Sequence, residues 1–428
     1  MELIEDIPFG LILCRAGREQ VTVTGVSDRL LRLRLPEADT PASLELRFAE
    51  LKTGRWTLLI PREFSEIRQT QTRYGFDTLL EIRDPAYGEA VVRALKALAG
   101  YIRLKEAGDD EALAYELTGC PYEHVTAETL AEQKARWFSA RPDGYEALSY
   151  SLALSLDRPD AYERFLTMPF DAFRLDFFRR NRLDGHPLFG RRPERVYIGN
   201  PCCFRLFPEE PAALLDKCAR EGLKATLVLP PVRESRRADL DALMPLLRDG
   251  SADEIAVNDW GTLQLLSETG KPVLLGIQLN RRRKDPRMKW KAGYASDPAL
   301  LSENNLNDPE FRRYLAERNV TRFEYESCGM PVRPAPGKHS LHLPFFQTNT
   351  SHACPLAAAC TGRDPGLPYD ERSCAMPCLT HALLYPDSLH AVGRYNSIFG
   401  ADPSVLSGAE YLKNRLDAGI DRVVAELL

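Results

Sequence analysis

The first hundred residues alternate apolar and polar positions with a period of two. "EQVTVTGVSD" and "LLRLRLP" do so around a short turn, and "SLELRFA", "RWTLLIP" and "GFDTLLEIRD" follow. Such runs, closely spaced between turn residues, predict a small antiparallel β-barrel or sandwich. "EAVVRALKALAGYIRLKE" then spaces apolar residues three and four apart. That is the pattern of a helix closing a first domain, residues 1–105.

Residues 106–188 read as a helical linker region. "ETLAEQKARWF", "GYEALSYSLALSL" and "FDAFRLDFFRRN" each carry an apolar stripe. Phe170, Phe173 and Phe177 lie at helical spacing and are expected to form a core face. "DGHPLFGRRPE" is a Gly- and Pro-rich break that ends the region.

From residue 189 to 428 the pattern alternates between short apolar runs and amphipathic stretches. The runs are "RVYIGN", "KATLVLPP", "DEIAVND", "PVLLGIQLN" and "TRFEYES", with helical stretches such as "EEPAALLDKCAREG" and "ADLDALMPLLRDG" between them. Near-continuous apolar strands alternating with helices indicate parallel βα units. Their regularity predicts an α/β TIM-type barrel or a fragment of one. In such barrels functional residues gather just after the strands. Those positions hold Cys202, Cys203, Asn258, Asp259, Asn280, Glu326 and Cys328. Glu326, Asn258 and Asp259 are the candidate substrate contacts, and they serve equally well as polar caps of the strands.

Composition narrows the function classes. A net charge of −5 gives no global field toward nucleic acid or anionic lipid. The basic run "NRRRKDPRMKWK", Asn280 to Lys291, reads as a solvated loop. No stretch approaches the length of a membrane span. "MELIEDIPFG" lacks the basic and apolar regions of a secretory signal, so a cytoplasmic location is expected. Ten cysteines in that setting point to metal or redox chemistry rather than to a disulfide framework.

The cysteines cluster near the end of the chain. "CTGRDPGLPYDERSCAMPC" runs from Cys360 to Cys378 and contains Cys374, and Cys354 lies six residues before it. The segment is too rich in Gly, Pro and charge to pack a large core. Four thiolates fit either Zn²⁺ or an iron–sulfur cluster. Cys202 and Cys203, at a strand end, are placed to join them, although paired cysteines also act as small buried apolar residues. Five of the seven histidines (His339, His342, His352, His381, His390) follow residue 338, at no spacing that demands metal.

"RVYIGNPCC", the βα units after it and "CTGRDPGLPYDERSCAMPC" together resemble the collagenase-like peptidase family, most closely its UbiU/UbiV-type iron–sulfur members. The likeness covers about residues 193 to 400, including "VNDWGTLQLL", "FEYESCG" and "AVGRYNSIFG". It implies a [4Fe-4S] cluster on Cys203, Cys360, Cys374 and Cys378. Cys202, Cys328 and Cys354 are extra thiols able to substitute. The family's chemistry includes oxygen-independent hydroxylation of quinone precursors and RNA bases, and reported proteolysis.

The first domain resembles a PilZ domain in strand rhythm and closing helix. Its nucleotide motif is broken: Arg15 and Arg18 stand too close together, and Gly25 and Leu30 flank Ser27 where the motif needs other residues. No binding of cyclic di-GMP is therefore expected. Three function classes follow. The first is an oxygen-independent hydroxylation enzyme acting on a small aromatic or nucleic-acid substrate. The second is a redox- or oxygen-responsive sensor or scaffold, with a protein partner at the N-terminal domain. The third is a peptidase, for which no HExxH or GxSxG motif is present.

Overall fold

A computed structural model describes residues 3–5, 7, 11–50, 55–73, 75–108, 112, 125–284, 302–328, 331–362, 371–385 and 390–428. The basic run beyond Lys284, Cys120, and 363–370 of the cysteine segment lie outside the described residues. The chain divides into two compact units, Met1–Glu123 with Tyr385–Leu389 and His124–Leu384 with His390–Leu428.

The first unit is built on an antiparallel sheet. Its strands are β1 (Ile4–Glu5), β2 (Ile12–Ala16), β3 (Glu19–Val26), β4 (Leu30–Leu35), β5 (Leu44–Glu50), β6 (Arg55–Leu59), β7 (Phe64–Thr72) and β8 (Gly75–Ile82). The order is β6-β5-β2-β3-β4-β8-β7, with β1 on β3. Among the described residues this antiparallel path runs between two edges and does not close into a ring, which departs from the barrel form of the barrel-or-sandwich expectation. The polar strand β7, "FSEIRQTQT", forms one edge and has no buried residue to mark it in the sequence. On the other strands the alternation holds: Leu31, Leu33 and Leu35 are buried while Arg32 and Arg34 between them are not. That apolar face receives α1 (Pro85–Ala107) through Tyr87, Ala90, Val91 and Ala94. Asp84 caps the helix, and Gly108 ends it in the left-handed conformation.

The second unit opens with β9 (Val125–Thr126) and α2 (Ala127–Trp137). The next element departs from expectation. "SLALSL" is not helical but the first barrel strand, β10 (Ser151–Leu156). The expected helices α3 (Pro159–Thr167) and α4 (Phe170–Arg180) then cover it, and Phe170, Phe173 and Phe177 are core residues. Next come β11 (Arg195–Ile198), α5 (Pro211–Arg220), β12 (Lys224–Leu229), α6 (Arg237–Asp249), β13 (Glu254–Val257), α7 (Trp260–Leu266), β14 (Val273–Leu275), α8 (Pro309–Ala316) and β15 (Val320–Glu326). "RVYIGN" is thus the second barrel strand, not the first. Two strands that the apolar pattern does not reveal finish the ring, β16 (His339–Leu343) and β21 (Ile420–Ala425). All eight are parallel and close as β10-β11-β12-β13-β14-β15-β16-β21.

The barrel wall separates two cores. Leu154, Ile198, Leu227, Ile255, Leu341 and Val423 face the helices in one large cluster. Ala153, Tyr197, Val228, Ala256, Leu274 and Val424 form a second cluster within. Between β16 and β21 the chain leaves the barrel on an excursion. It contains β17 (Phe345–Thr350), α9 (Pro355–Thr361), β18 (His381–Leu384), β19 (Ala391–Arg394), β20 (Ser397–Ala401) and α10 (Ala409–Asp417). Its strands pair with β9 in the order β17-β20-β19-β18-β9. All four C-terminal cysteines ride on this excursion, which starts at the C-terminal end of β16.

Gly199, just past β11, sits at φ 123°, and a Cβ there would fall 2.2 Å from the Val228 carbonyl oxygen. Both the backbone conformation and the close approach require glycine. Gly199→Ala is expected to destabilise the fold by roughly 2–4 kcal/mol. A denaturation midpoint equal to that of the unsubstituted chain would contradict this packing.

Candidate functional site

The barrel interior is charged. His342 lies between two carboxylates, with Nε2 2.6 Å from Glu324 Oε2 and Nδ1 2.6 Å from Glu426 Oε1. Burial alone would pull the imidazole down. The Glu426 charge, together with hydrogen bonds to Glu324 and Glu426, lifts it instead to about 10. Both ring nitrogens therefore donate. The Tyr197 hydroxyl donates to Glu324 (3.2 Å), and Arg422 donates to the Tyr197 oxygen and to Glu254, each at 2.8 Å. Arg195 pairs with the same Glu254 at 3.1 Å. These groups are buried, so each charge needs its partners.

At the mouth of the barrel stand the residues expected after the strands. Glu326 is buried, forms an ion pair with Lys284 and accepts from the Gln347 N–H. Burial raises its carboxyl above the usual range, and the Glu426 charge adds to this against the pull of Lys284. Asn258 is a clamp: its Nδ2 donates to the Leu229 carbonyl (2.9 Å), and its Oδ1 accepts from the Gln278 N–H (3.2 Å). Asp259 caps α7, accepting from the Thr262 N–H (2.7 Å) and hydroxyl (2.6 Å), and also holds the Val232 N–H (3.2 Å). Asn280 donates to the Glu324 carbonyl at 2.9 Å. The polar-cap role is thus realised at Asn258 and Asp259, which also line the cleft described below.

The turn after β11 sorts the paired cysteines. Asn200 Oδ1 accepts from the N–H groups of Cys202 (2.8 Å) and Cys203 (2.9 Å). The two thiols then point to different surroundings. Cys202 bonds to Ser397 and Thr350, and burial pushes it up to about 12. Cys203 meets the thiols of the excursion. Burial raises it to about 12 as well, and the charges of Cys354 and Cys374 contribute. Cys378 is raised by burial and then by Cys203, Cys354 and Cys374. Cys354 reaches about 11 through burial, with Cys374 and Cys360 adding, and Cys360 is raised by burial and Cys374. Five thiols therefore share one neighbourhood. Cys328 lies beside Tyr411, while Cys14 and Cys218 are buried in the two cores.

Arg394 backs this group. Its Nε donates to the Cys378 carbonyl at 2.8 Å, and its charge opposes the rise of the Cys378 thiol. Among the described residues no three His, Cys, Asp or Glu side chains are drawn tightly enough to grip a metal ion as they stand. The donor chemistry nonetheless fits a soft thiolate-bound centre: several sulfurs, partly buried, with a guanidinium behind them.

Next to the thiols opens a cleft of about 310 Å³. Cys202, Asn258, Asp259, Trp260, Gln278 and Thr350 line it, together with Arg233, Arg281 and Glu371. Glu371 is neutralised by Arg236 at 2.9 Å, and Asp259 is occupied by its cap bonds. Among the described residues no carboxylate pairs with Arg233 or Arg281, so the cleft wall carries two guanidiniums without an ion pair alongside the Asp259 carboxylate. Trp260 is 44% exposed and meets Phe311 and Tyr314 edge to face.

The sequence did not point to Glu324, His342, Glu426, Tyr197 and Arg422 as a group. The available signal was period-two spacing in two short stretches. Ser340 and His342 share one face of β16, and Arg422 and Val424 share one face of β21, with Glu426 next on that face.

No protein-family model matches the chain, and no curated protein matches it. Among solved structures it is similar to an uncharacterized protein of Legionella, 14% identical, over 23% of this chain and 95% of that one, with a TM-score of 0.18. It is also similar to the U32 peptidase Mk0906, 11% identical, over 66% of this chain and 95% of that one, with a TM-score of 0.29. Likenesses this distant carry no argument about activity.

The interior network predicts a pH dependence. His342 is held at about 10 in the folded chain, against an ordinary value of 6.5. Its stabilisation is complete below pH 6.5 and is lost as pH rises through about 10. His342→Gln is expected to lower stability by about 3–5 kcal/mol at neutral pH, the cost of leaving buried carboxylates unpartnered. It should also flatten the alkaline decline. An equal alkaline decline in both proteins would show that His342 is not the titrating group.

Proposed function

We propose that this chain is an iron–sulfur protein of the collagenase-like peptidase family, carrying out an oxygen-independent hydroxylation of a small aromatic or nucleic-acid substrate. The observation that carries the reading is the meeting of Cys203, just past the second barrel strand, with four cysteines of the excursion beside a cleft that holds two arginines without an ion pair. The resemblance of "RVYIGNPCC" and of the C-terminal cysteine spacing supports it. A bound [4Fe-4S] cluster supplies electron transfer. The chain's own residues supply the rest. Arg233 and Arg281 attract an anionic group, Trp260 offers a face for stacking, and the amides of Gln278 and Asn258 border the same space. Glu326, with its raised carboxyl, lies at the mouth as a candidate proton carrier.

A peptidase reading finds less support. Cys202 lines the cleft, but burial holds its thiol protonated, the opposite of an activated nucleophile. A sensor or scaffold reading draws on the self-contained core of the first unit, which makes it a separate module able to meet a protein partner. The nine described cysteines are free thiols, which fits a reducing, cytoplasmic setting.

Anaerobically purified protein is expected to be brown, with about four irons and about four sulfides per chain. A colourless protein carrying a single zinc would overturn the cluster reading in favour of Zn²⁺. Turnover of a phenolic or nucleic-acid substrate by the iron-loaded chain separates an enzyme from a sensor.

The first unit is proposed as PilZ-like but unable to hold cyclic di-GMP. Ser27 Oγ is engaged by the Leu30 N–H at 2.9 Å, and Arg15 lies 4.0 Å from Glu45. Calorimetry at micromolar nucleotide should show no saturable heat; a clear binding isotherm would revive a second-messenger role.

A further inference from the structure

Four successive strand ends build one arc of the cleft. Phe204 follows β11, Pro231 and Arg233 follow β12, Trp260 opens α7 after β13, and Leu279 and Arg281 follow β14. In the order of the barrel, Trp260 therefore has an arginine on each side. Neighbouring strands are spaced so that the ends of β12 and β14 lie roughly 10 Å apart. Two arginine side chains that line the same cleft span that distance between them.

Both arginines are anchored. Arg233 donates to the His352 carbonyl. Arg281 is held through its backbone: its N–H donates to Asn305 Oδ1 at 2.9 Å, and its carbonyl accepts from the Asn305 N–H at 3.0 Å. The carboxylates of the same wall are committed elsewhere. Glu371 pairs with Arg236 at 2.9 Å, and Asp259 accepts from Thr262 and from the Val232 N–H. A ligand carboxylate or phosphate matches such guanidiniums through paired hydrogen bonds.

The apolar surface of the cleft is small. Besides Cys202 it consists of Phe204, Pro231, Trp260 and Leu279, and every other described lining residue is polar or charged. Phe311 and Tyr314 brace the Trp260 indole edge to face. A flat ring suits a fixed aromatic side chain. An isoprenoid chain needs a continuous apolar channel, and the described lining offers none. The volume of about 310 Å³ stands at the low end for small-molecule sites, which run from roughly 300 to 1,000 Å³, and suits one ring system with an anionic group.

We propose that the cleft binds a small, unprenylated planar ring carrying a carboxylate or phosphate, with the ring against Trp260 and the anionic group between Arg233 and Arg281. The proposal rests on the reading of this cleft as the substrate site, and it narrows that reading by setting aside prenylated quinone precursors and long nucleic-acid strands.

Calorimetry on the full chain as purified tests it. Iron content is measured separately, so a colourless protein sinks the cluster reading and leaves the ligand class to be decided by the titrations. The probes are hydroxybenzoate and uridine monophosphate, their neutral counterparts phenol and uridine, and inorganic phosphate. At least one of the two ring anions should bind about tenfold or more tightly than its neutral counterpart and than phosphate. Which one does so identifies the source as a free aromatic acid or a nucleotide. Arg233→Gln and Arg281→Gln should each remove most of that preference and leave the neutral ring unaffected. Trp260→Leu, with unchanged circular dichroism, should weaken the preferred ring anion about fivefold or more and leave inorganic phosphate as it was. No saturable heat from either ring anion at millimolar concentration overturns the proposal. So does equal binding of the neutral ring, an unchanged preference in both arginine variants, or tighter binding of a prenylated phenol or a single-stranded oligonucleotide than of either ring anion.

Discussion

The fold depends on an imidazolium held between two carboxylates. His342, Glu324 and Glu426 stand on or just past three adjacent strands, β16, β15 and β21. Burying three ionised groups costs several kcal/mol each unless every one is paired. The pairing exists in one register only: Glu326 opposite His342, and His342 opposite Val424. A slip of one residue would turn His342 into the apolar layer under the helices. The last strand of the barrel is thereby positioned by charge as much as by apolar contact. Both ends of the excursion are set with it, because the excursion leaves from β16 and returns to β21.

That dependence explains which strands were legible. β11 to β15 follow amphipathic helices or their remnants and carry short apolar runs, so the alternation of elements exposed them. β16 and β21 point Ser340, His342 and Arg422 inward, and these polar residues interrupt the apolar run that would have marked a buried parallel strand. β10 was concealed differently. Its inward residues, Ala153 and Ser155, are small, and the preceding "GYEALSY" extends its outward leucines into an apparent helical stripe. The aromatic stripe of α4 was read correctly, because consecutive turns of one helix are a local feature. Strand pairing across a ring is not local, and the closing seam joins segments far apart in sequence.

The site divides along the same line. The thiol pattern is a sequence feature, and the structure draws its members together from β11 and the excursion. Cys202 and Cys203 are one residue apart in sequence but have different neighbours, on a turn where the Asn200 side chain holds both N–H groups. No spacing rule contains that information. Asn258 and Asp259 were legible as strand-end residues, yet their polar atoms are largely committed to the Leu229 carbonyl, the Gln278 N–H and Thr262. Position after a barrel strand marks a residue as near the mouth; its hydrogen bonds decide what it is free to do.

Charge at the mouth is balanced in separate pieces, and this bears on what the cleft is for. The sulfurs have Arg394 behind them, close to Cys378. Glu371, on the cleft wall, has Arg236. Glu326 has Lys284. Asp259, also on the cleft wall, has no such cation among the described residues and is held by N–H and hydroxyl donors alone. Arg233 spends a hydrogen bond on the neutral His352 carbonyl, and no described carboxylate meets Arg281. Two guanidiniums therefore stand in the cleft without an ion-pair partner, alongside the Asp259 carboxylate. A guanidinium is planar, and it recognises carboxylate or phosphate through paired hydrogen bonds. Beside the partly exposed indole, two such guanidiniums would suit a ligand with both a flat ring and a negative group, in line with the aromatic substrate class proposed above, and Cys202 is the cysteine that would face it.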